Sequence, residues 1–127
     1  MDVVILAGGR GGRLTGLCPP YYKPLLPSNG VSQIVNCINI LDHVRDDIST
    51  ITVITAPENT LPISQVLPKD SDITIVVQRE PNGPGSSLLE GLKIGSDEHV
   101  MVLLADNIMT SADITAITRH EYAVAVT

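Results

Sequence analysis

Phenylalanine and tryptophan are absent, and Tyr21, Tyr22 and Tyr122 are the only aromatic side chains in 127 residues. The core must therefore be built from aliphatic side chains. Two cysteines, Cys18 and Cys37, are too few for a disulfide scaffold or a zinc site, and they read as reduced thiols of a cytoplasmic protein. No apolar run approaches the ~20 residues of a membrane span. The longest are Val3–Ala7, Val100–Ala105 and Ile75–Val77 with its neighbours, which excludes an integral membrane protein. A basic start followed by an apolar stretch and a small-residue cleavage site is also missing, so secretion is not expected. Charged residues make up 17% and apolar residues 43%, too little charge and too much apolar surface for a disordered chain. The length suits one domain, residues 1–127.

Basic residues are scarce as well: eight Lys and Arg stand against fourteen Asp and Glu, a net charge of −6. An acidic surface repels nucleic acid, so a general DNA or RNA binder is disfavoured. The scarcity is uneven. Between Val3 and Leu41 there is no acidic residue, while Arg10, Arg13 and Lys23 lie there. That segment carries +3, and the remainder carries −9, five basic residues minus fourteen acidic ones. A cationic, glycine-rich segment in an acidic chain is consistent with an anion pocket or with chance, and charge alone does not choose.

Val3–Leu6 is a continuous β-favouring run ending at Gly8 and Gly9, the pattern of a strand covered on both faces. Similar runs occur at Ile51–Thr55, Ile73–Val77, Val100–Ala105 and Tyr122–Thr127. Helical spacing lies between them. Ser32–Val44 places Ile34, Val35, Ile38 and Leu41 on one face, with Ser32 as the expected N-cap. Ser86–Ile94 places Leu88, Leu89 and Leu92 together. Thr60–Leu67 is interrupted by Pro62, which allows only a short helix. Ser111–His120 spaces Ile114 and Ile117 helically, with Ser111 as cap. Alternation of this kind predicts an α/β fold, a Rossmann-like, mainly parallel sheet with flanking helices. The loops after Leu6, Val77 and Ala105 then share one sheet edge, and a free edge at Tyr122–Thr127 would favour a homo-oligomer.

Four glycines fill five positions, Gly8, Gly9, Gly11 and Gly12, directly after the first strand. Missing Cβ atoms let backbone N–H groups approach phosphate oxygens, and Arg10 and Arg13 add forked, charged donors. A tight strand-to-helix turn with solvated arginines is the plainer reading. Glycine density, position and the two arginines together favour phosphate binding. It is not a Walker A loop, since no Gly-Lys-Ser/Thr closes it. Leu14 stands where the dinucleotide pattern needs its third glycine, so a dinucleotide cofactor is disfavoured.

Leu6–Leu14 (LAGGRGGRL) followed by Lys23–Pro27 (KPLLP) resembles the opening motif of sugar-1-phosphate nucleotidyltransferases. Gln78–Gly85 (QREPNGPG) resembles their base-recognition loop, and Leu103–Ile108 (LLADNI) their metal-binding strand end. The wording is nearest to glucose-1-phosphate thymidylyltransferases. The resemblance implies transfer of a nucleotidyl group from an NTP, dTTP or UTP, to a sugar 1-phosphate such as glucose 1-phosphate, with release of pyrophosphate. It implies that Leu6, Gly8, Gly9, Gly11, Gly12 and Arg13 bind the nucleotide. Arg13 would hold the β and γ phosphates, and Lys23 would neutralise charge during transfer. Gln78 would pair with the base, Gly83 would let backbone lie close to it, and Asp106 would hold Mg²⁺.

Three positions depart from the family pattern. Gly12 stands where Thr is usual, Gly16 where Pro is usual, and Tyr22 where Pro precedes the lysine. The resemblance covers the first half of the family's catalytic domain, whose second metal-binding aspartate and most sugar contacts lie further downstream. Two readings therefore stand: a sugar nucleotidyltransferase completed by further sequence, or a non-catalytic nucleotide-binding or interaction module on the same scaffold.

Overall fold

The computed structural model of the chain describes residues 1–69, 72–80, 82–121 and 123. Four parallel strands form the main sheet: β1 (Asp2–Leu6), β4 (Thr50–Thr55), β5 (Ile73–Val77) and β6 (Val100–Leu104). Their spatial order is β5-β4-β1-β6. β1 is central, with Val4 beside Thr52 on one flank and beside Val102 on the other. Two-residue strands β2 (Pro27–Ser28) and β3 (Val31–Ser32) make a small hairpin whose turn, Asn29 and Gly30, is left-handed at both residues. That geometry matches the twist of adjoining strands.

Alternate residues of each strand face opposite layers. Val3 and Ile5 of β1, Ile51 and Val53 of β4, and Met101 and Leu103 of β6 share the main core with Ile34, Ile38 and Leu41. Those last three come from helix α1 (Gln33–Ile40) and the 3₁₀ turn Leu41–Asp47. Ile63 of α2 (Thr60–Val66) and Ile114 of α4 (Ser111–Thr118) complete that layer. Helix α3 (Pro84–Leu92) covers the other face, against β1 and β4. The α/β class, the parallel sheet and its Rossmann-like layering thus agree with the sequence pattern.

Several local expectations change. α3 buries Ser87 and Gly91, while Leu89 and Leu92 remain 63% and 41% exposed. The reason is proximity: a Cβ built on Gly91 would stand 2.5 Å from Val4 Cγ1 and 3.4 Å from Ile54 Cδ1. Only small residues fit under the helix, so the leucines are turned aside. α4 is capped by Thr110 rather than Ser111, with Thr110 and Asp113 forming a reciprocal capping box. Ser32 occupies the N-cap position of α1 without a side-chain capping bond. Pro62 sits in the first turn of α2, where a missing N–H costs no helical bond. The run Tyr122–Thr127 lies, apart from Ala123, outside the described residues.

The chain steps from β1 to β4 to β5 in one direction, then crosses over α3 to place β6 on the opposite side of β1. This reversal opens a crevice beyond the carboxyl ends of β1 and β6, the usual place for a ligand in an open parallel sheet.

Candidate active site

A cavity of about 500 Å³ occupies that crevice. Leu6, Gly8, Gly9 and Gly11 reach it from the end of β1, Leu104 and Asp106 from the end of β6, and Gly83 and Ser87 from α3. Lys23 forms the remaining wall. The two strand ends are clamped together where Ala105 N–H donates to the Leu6 carbonyl at 3.1 Å. Asp106 is the next residue, so its carboxylate must emerge at the mouth.

Lys23 Nζ lies 2.5 Å from Asp106 Oδ2, with both side chains partly exposed. The pair brings two residues 83 positions apart into one charged contact at the glycine loop. Lys23 heads a 3₁₀ turn, Lys23–Leu25, anchored by buried Pro24. Gly11, at φ +69°, packs beneath the lysine stem, where an added Cβ would stand 3.5 Å from Lys23 Cβ. Gly83 is also left-handed, at φ +88°, and initiates α3. A side chain at either glycine would be strained.

Among the described residues no group of three His, Cys, Asp or Glu side chains is placed to hold an ion. Asp106 alone fits Mg²⁺, which takes one or two carboxylates and fills its remaining positions with phosphate oxygens and water. Cys37 of α1 lies behind this wall. Burial, reinforced by the Asp106 charge, pushes its thiol up to about 12, so it carries no thiolate at neutral pH.

Arg10 is the arginine on the cavity wall. Gly12 and Arg13 lie outside the lining on the exposed 3₁₀ turn Gly12–Leu14. Gln78 also lies outside it. The Gln78 side chain is buried behind α3, where Nε2 donates to Ser86 Oγ at 2.7 Å and Oε1 accepts from Ser87 Oγ at 2.5 Å. Ser87 is its link to the cavity. Sequence reasoning gave no part to Ser87, Tyr21 or Asn59. Ser87 falls at helical spacing from Gly91, a weak signal that small residues mark the close face.

Residues 3–127 match the MobA-like NTP transferase domain. The chain belongs to this NTP transferase family. It is 32% identical over 119 residues to a glucose-1-phosphate thymidylyltransferase of Neisseria meningitidis, covering 91% of this chain and 41% of that protein. A glucose-1-phosphate thymidylyltransferase of Neisseria gonorrhoeae matches equally, at 32% over 119 residues. The chain thus spans less than half the length of the curated relatives it matches. Among solved structures, a nucleotidyl transferase from Methanothermobacter thermautotrophicus superposes with a TM-score of 0.76 at 24% identity, over 94% of this chain and 56% of that one. HddC from Yersinia pseudotuberculosis, solved in complex with GMP-PN, gives 0.71 at 22% identity, over 93% and 52%. Both share the fold. No helix among the described residues is long and apolar enough to cross a membrane.

Proposed function

We propose that this chain forms the nucleotide-binding part of a sugar-1-phosphate nucleotidyltransferase, taking dTTP or UTP with Mg²⁺ and glucose 1-phosphate. The observation that carries the reading is the Lys23–Asp106 pair facing the glycine loop across one cavity. Exposed amides after β1 and the Arg10 guanidinium supply donors for phosphate oxygens. Lys23 supplies mobile positive charge beside them. Asp106 would hold Mg²⁺, which when bound neutralises the triphosphate. The base lies toward Gly83 and Ser87, with Gln78 fixing the Ser87 hydroxyl from behind.

The reaction needs no catalytic base. A sugar phosphate is already largely dianionic near neutral pH, since its second pKa is about 6. Its oxygen forms a bond to the α-phosphorus of the NTP, the bond to the bridging oxygen breaks, and pyrophosphate leaves with the electron pair. The barrier is dominated by aligning two anions and stabilising the leaving group. Lys23, Arg10 and the loop amides meet both demands for the NTP. The reduced, buried state expected of Cys37 accords with a cytoplasmic enzyme.

A non-catalytic nucleotide-binding module is the second reading, favoured by Asp106 being the one carboxylate among the described residues that line the cavity. Pyrophosphate release from dTTP or UTP with glucose 1-phosphate and Mg²⁺ separates the two. Release abolished in Asp106→Ala supports the transferase. Nucleotide-dependent thermal stabilisation without release supports the module. If millimolar nucleotide produces neither effect, both readings fail.

A further inference from the structure

Asn59 is fully buried, yet it is polar, and it lies outside the cavity wall. It occupies the N-cap position of α2, but its side chain makes no capping bond to that helix. The amide instead joins three chain segments. Nδ2 donates to the Ala7 carbonyl at 2.7 Å and to the Tyr21 carbonyl at 3.0 Å, while Oδ1 accepts from Ala56 N–H at 2.9 Å. Ala7 immediately precedes the glycine loop, Tyr21 stands two residues before Lys23, and Ala56 immediately follows β4. Tyr21 N–H closes the ring by donating to the Arg10 carbonyl at 2.9 Å. Tyr21 is held at φ +69°, a left-handed conformation that a bulky residue rarely adopts without being over-determined by its surroundings.

We infer that Asn59 is a positioning residue for nucleotide binding: one buried amide sets the glycine loop and the Lys23 turn at a fixed separation, so that Lys23 meets Asp106. The inference rests on the nucleotide-site reading above. Asparagine suits this task because it presents two donors and an acceptor in one plane. A carboxylate of the same shape can accept from Ala56 but faces two carbonyl oxygens with no proton to offer. Helix capping makes the opposite demand, since aspartate is as good a cap as asparagine and is favoured by the helix dipole.

The test compares Asn59→Asp with the wild-type chain and with Leu41→Ala, which loosens the core at a residue outside the cavity lining. Thermal stability and Mg²⁺-UTP and Mg²⁺-dTTP affinity are measured for each below its unfolding transition. Asn59→Asp is expected to weaken nucleotide binding at least tenfold, while Leu41→Ala lowers stability and leaves affinity within about twofold. Equal affinity in Asn59→Asp and wild type, or an equal loss in Leu41→Ala, overturns the inference. If Asn59→Asp does not fold, Asn59→Ala carries the same comparison, because it too leaves both carbonyls unpaired. A crystal structure of the folded variant gives a readout independent of any ligand. Tyr21 is expected to leave the left-handed region and Lys23 to separate from Asp106. Both remaining in place overturns the inference, whereas their movement upholds the setting of Lys23 against Asp106 by Asn59, and in that case failure of wild-type protein to bind nucleotide overturns only the nucleotide-site reading.

Discussion

Lys23 and Asp106 form an ion pair, which has a measurable consequence. A divalent cation must compete with the lysine for the same carboxylate oxygen. Lys23→Gln is therefore expected to bind Mn²⁺ several-fold more tightly than wild type without nucleotide, as read by the loss of free-ion paramagnetic resonance signal. The same substitution should weaken nucleotide binding by about tenfold or more, the scale of one lost charged hydrogen bond. Unchanged Mn²⁺ affinity would show that the ion pair does not restrain the site. The two arginines separate as cleanly. Arg10→Ala should cost nucleotide affinity about tenfold, and Arg13→Ala less, because only Arg10 lines the cavity. Titration calorimetry distinguishes them. The resemblance put Arg13 on the phosphates, whereas Arg10 lines the cavity, with Gly11 turning the chain through a left-handed step between them.

At the scale of elements, α3 is the informative one. Its leucine spacing suggested an apolar face of Leu88, Leu89 and Leu92, but the helix approaches β1 so closely that Gly91 makes the contact. Gly91→Ala improves intrinsic helix propensity by about 1 kcal/mol. The added methyl would nonetheless collide with the stiff, β-branched Val4. Overpacking of this kind costs about 1–3 kcal/mol, so the net effect should be a lower unfolding midpoint in denaturant with an unchanged slope. Strand positions were legible as near-continuous apolar runs, although only Val3–Leu6 is buried along most of its length, while Ile73–Val77 at the sheet edge is half-buried to exposed. Helix contacts were less so, because spacing identifies a face without telling how near its partner lies. Gln78 illustrates a related limit. Its chemistry suits a base edge, but Ser86 and Ser87, one helical turn into α3, engage both ends of its amide.

The molecule as a whole separates a cavity end from a structural end. Opposite the cavity, at the amino edge of the sheet, the N-terminal amine pairs with Asp97 at 2.9 Å and donates to the Asp47 carbonyl at 2.7 Å. Asp97 is pulled down to about 2 by hydrogen bonds from that amine, from His99 N–H and from the Ser49 hydroxyl. Buried Asp2 is lowered as well, chiefly by the Thr50 hydroxyl and the Asp97 N–H. Depressed carboxylates stabilise the fold above their ordinary value of 3.8 and lose that contribution as pH falls toward the folded value. Stability should therefore decline between about pH 4 and pH 2, and Asp97→Asn should flatten that decline without altering nucleotide affinity. Thermal melts across this range check it. The charge asymmetry of the sequence falls at the cavity end, where Arg10 and Lys23 both line the wall. The bolt that spaces them, Asn59, was not legible, because its three partners come from segments brought together only by the sheet.

The central claim is that triphosphate oxygens lie between the glycine loop and the Lys23–Asp106 pair. A crystal structure of the chain grown with dTTP and Mg²⁺ tests it most directly. The account predicts phosphate oxygens within hydrogen-bond distance of the backbone amides of Gly9 to Gly11 and of Lys23 Nζ, with Mg²⁺ on an Asp106 oxygen. Nucleotide bound elsewhere on the surface, with Lys23 still paired to Asp106, would contradict it.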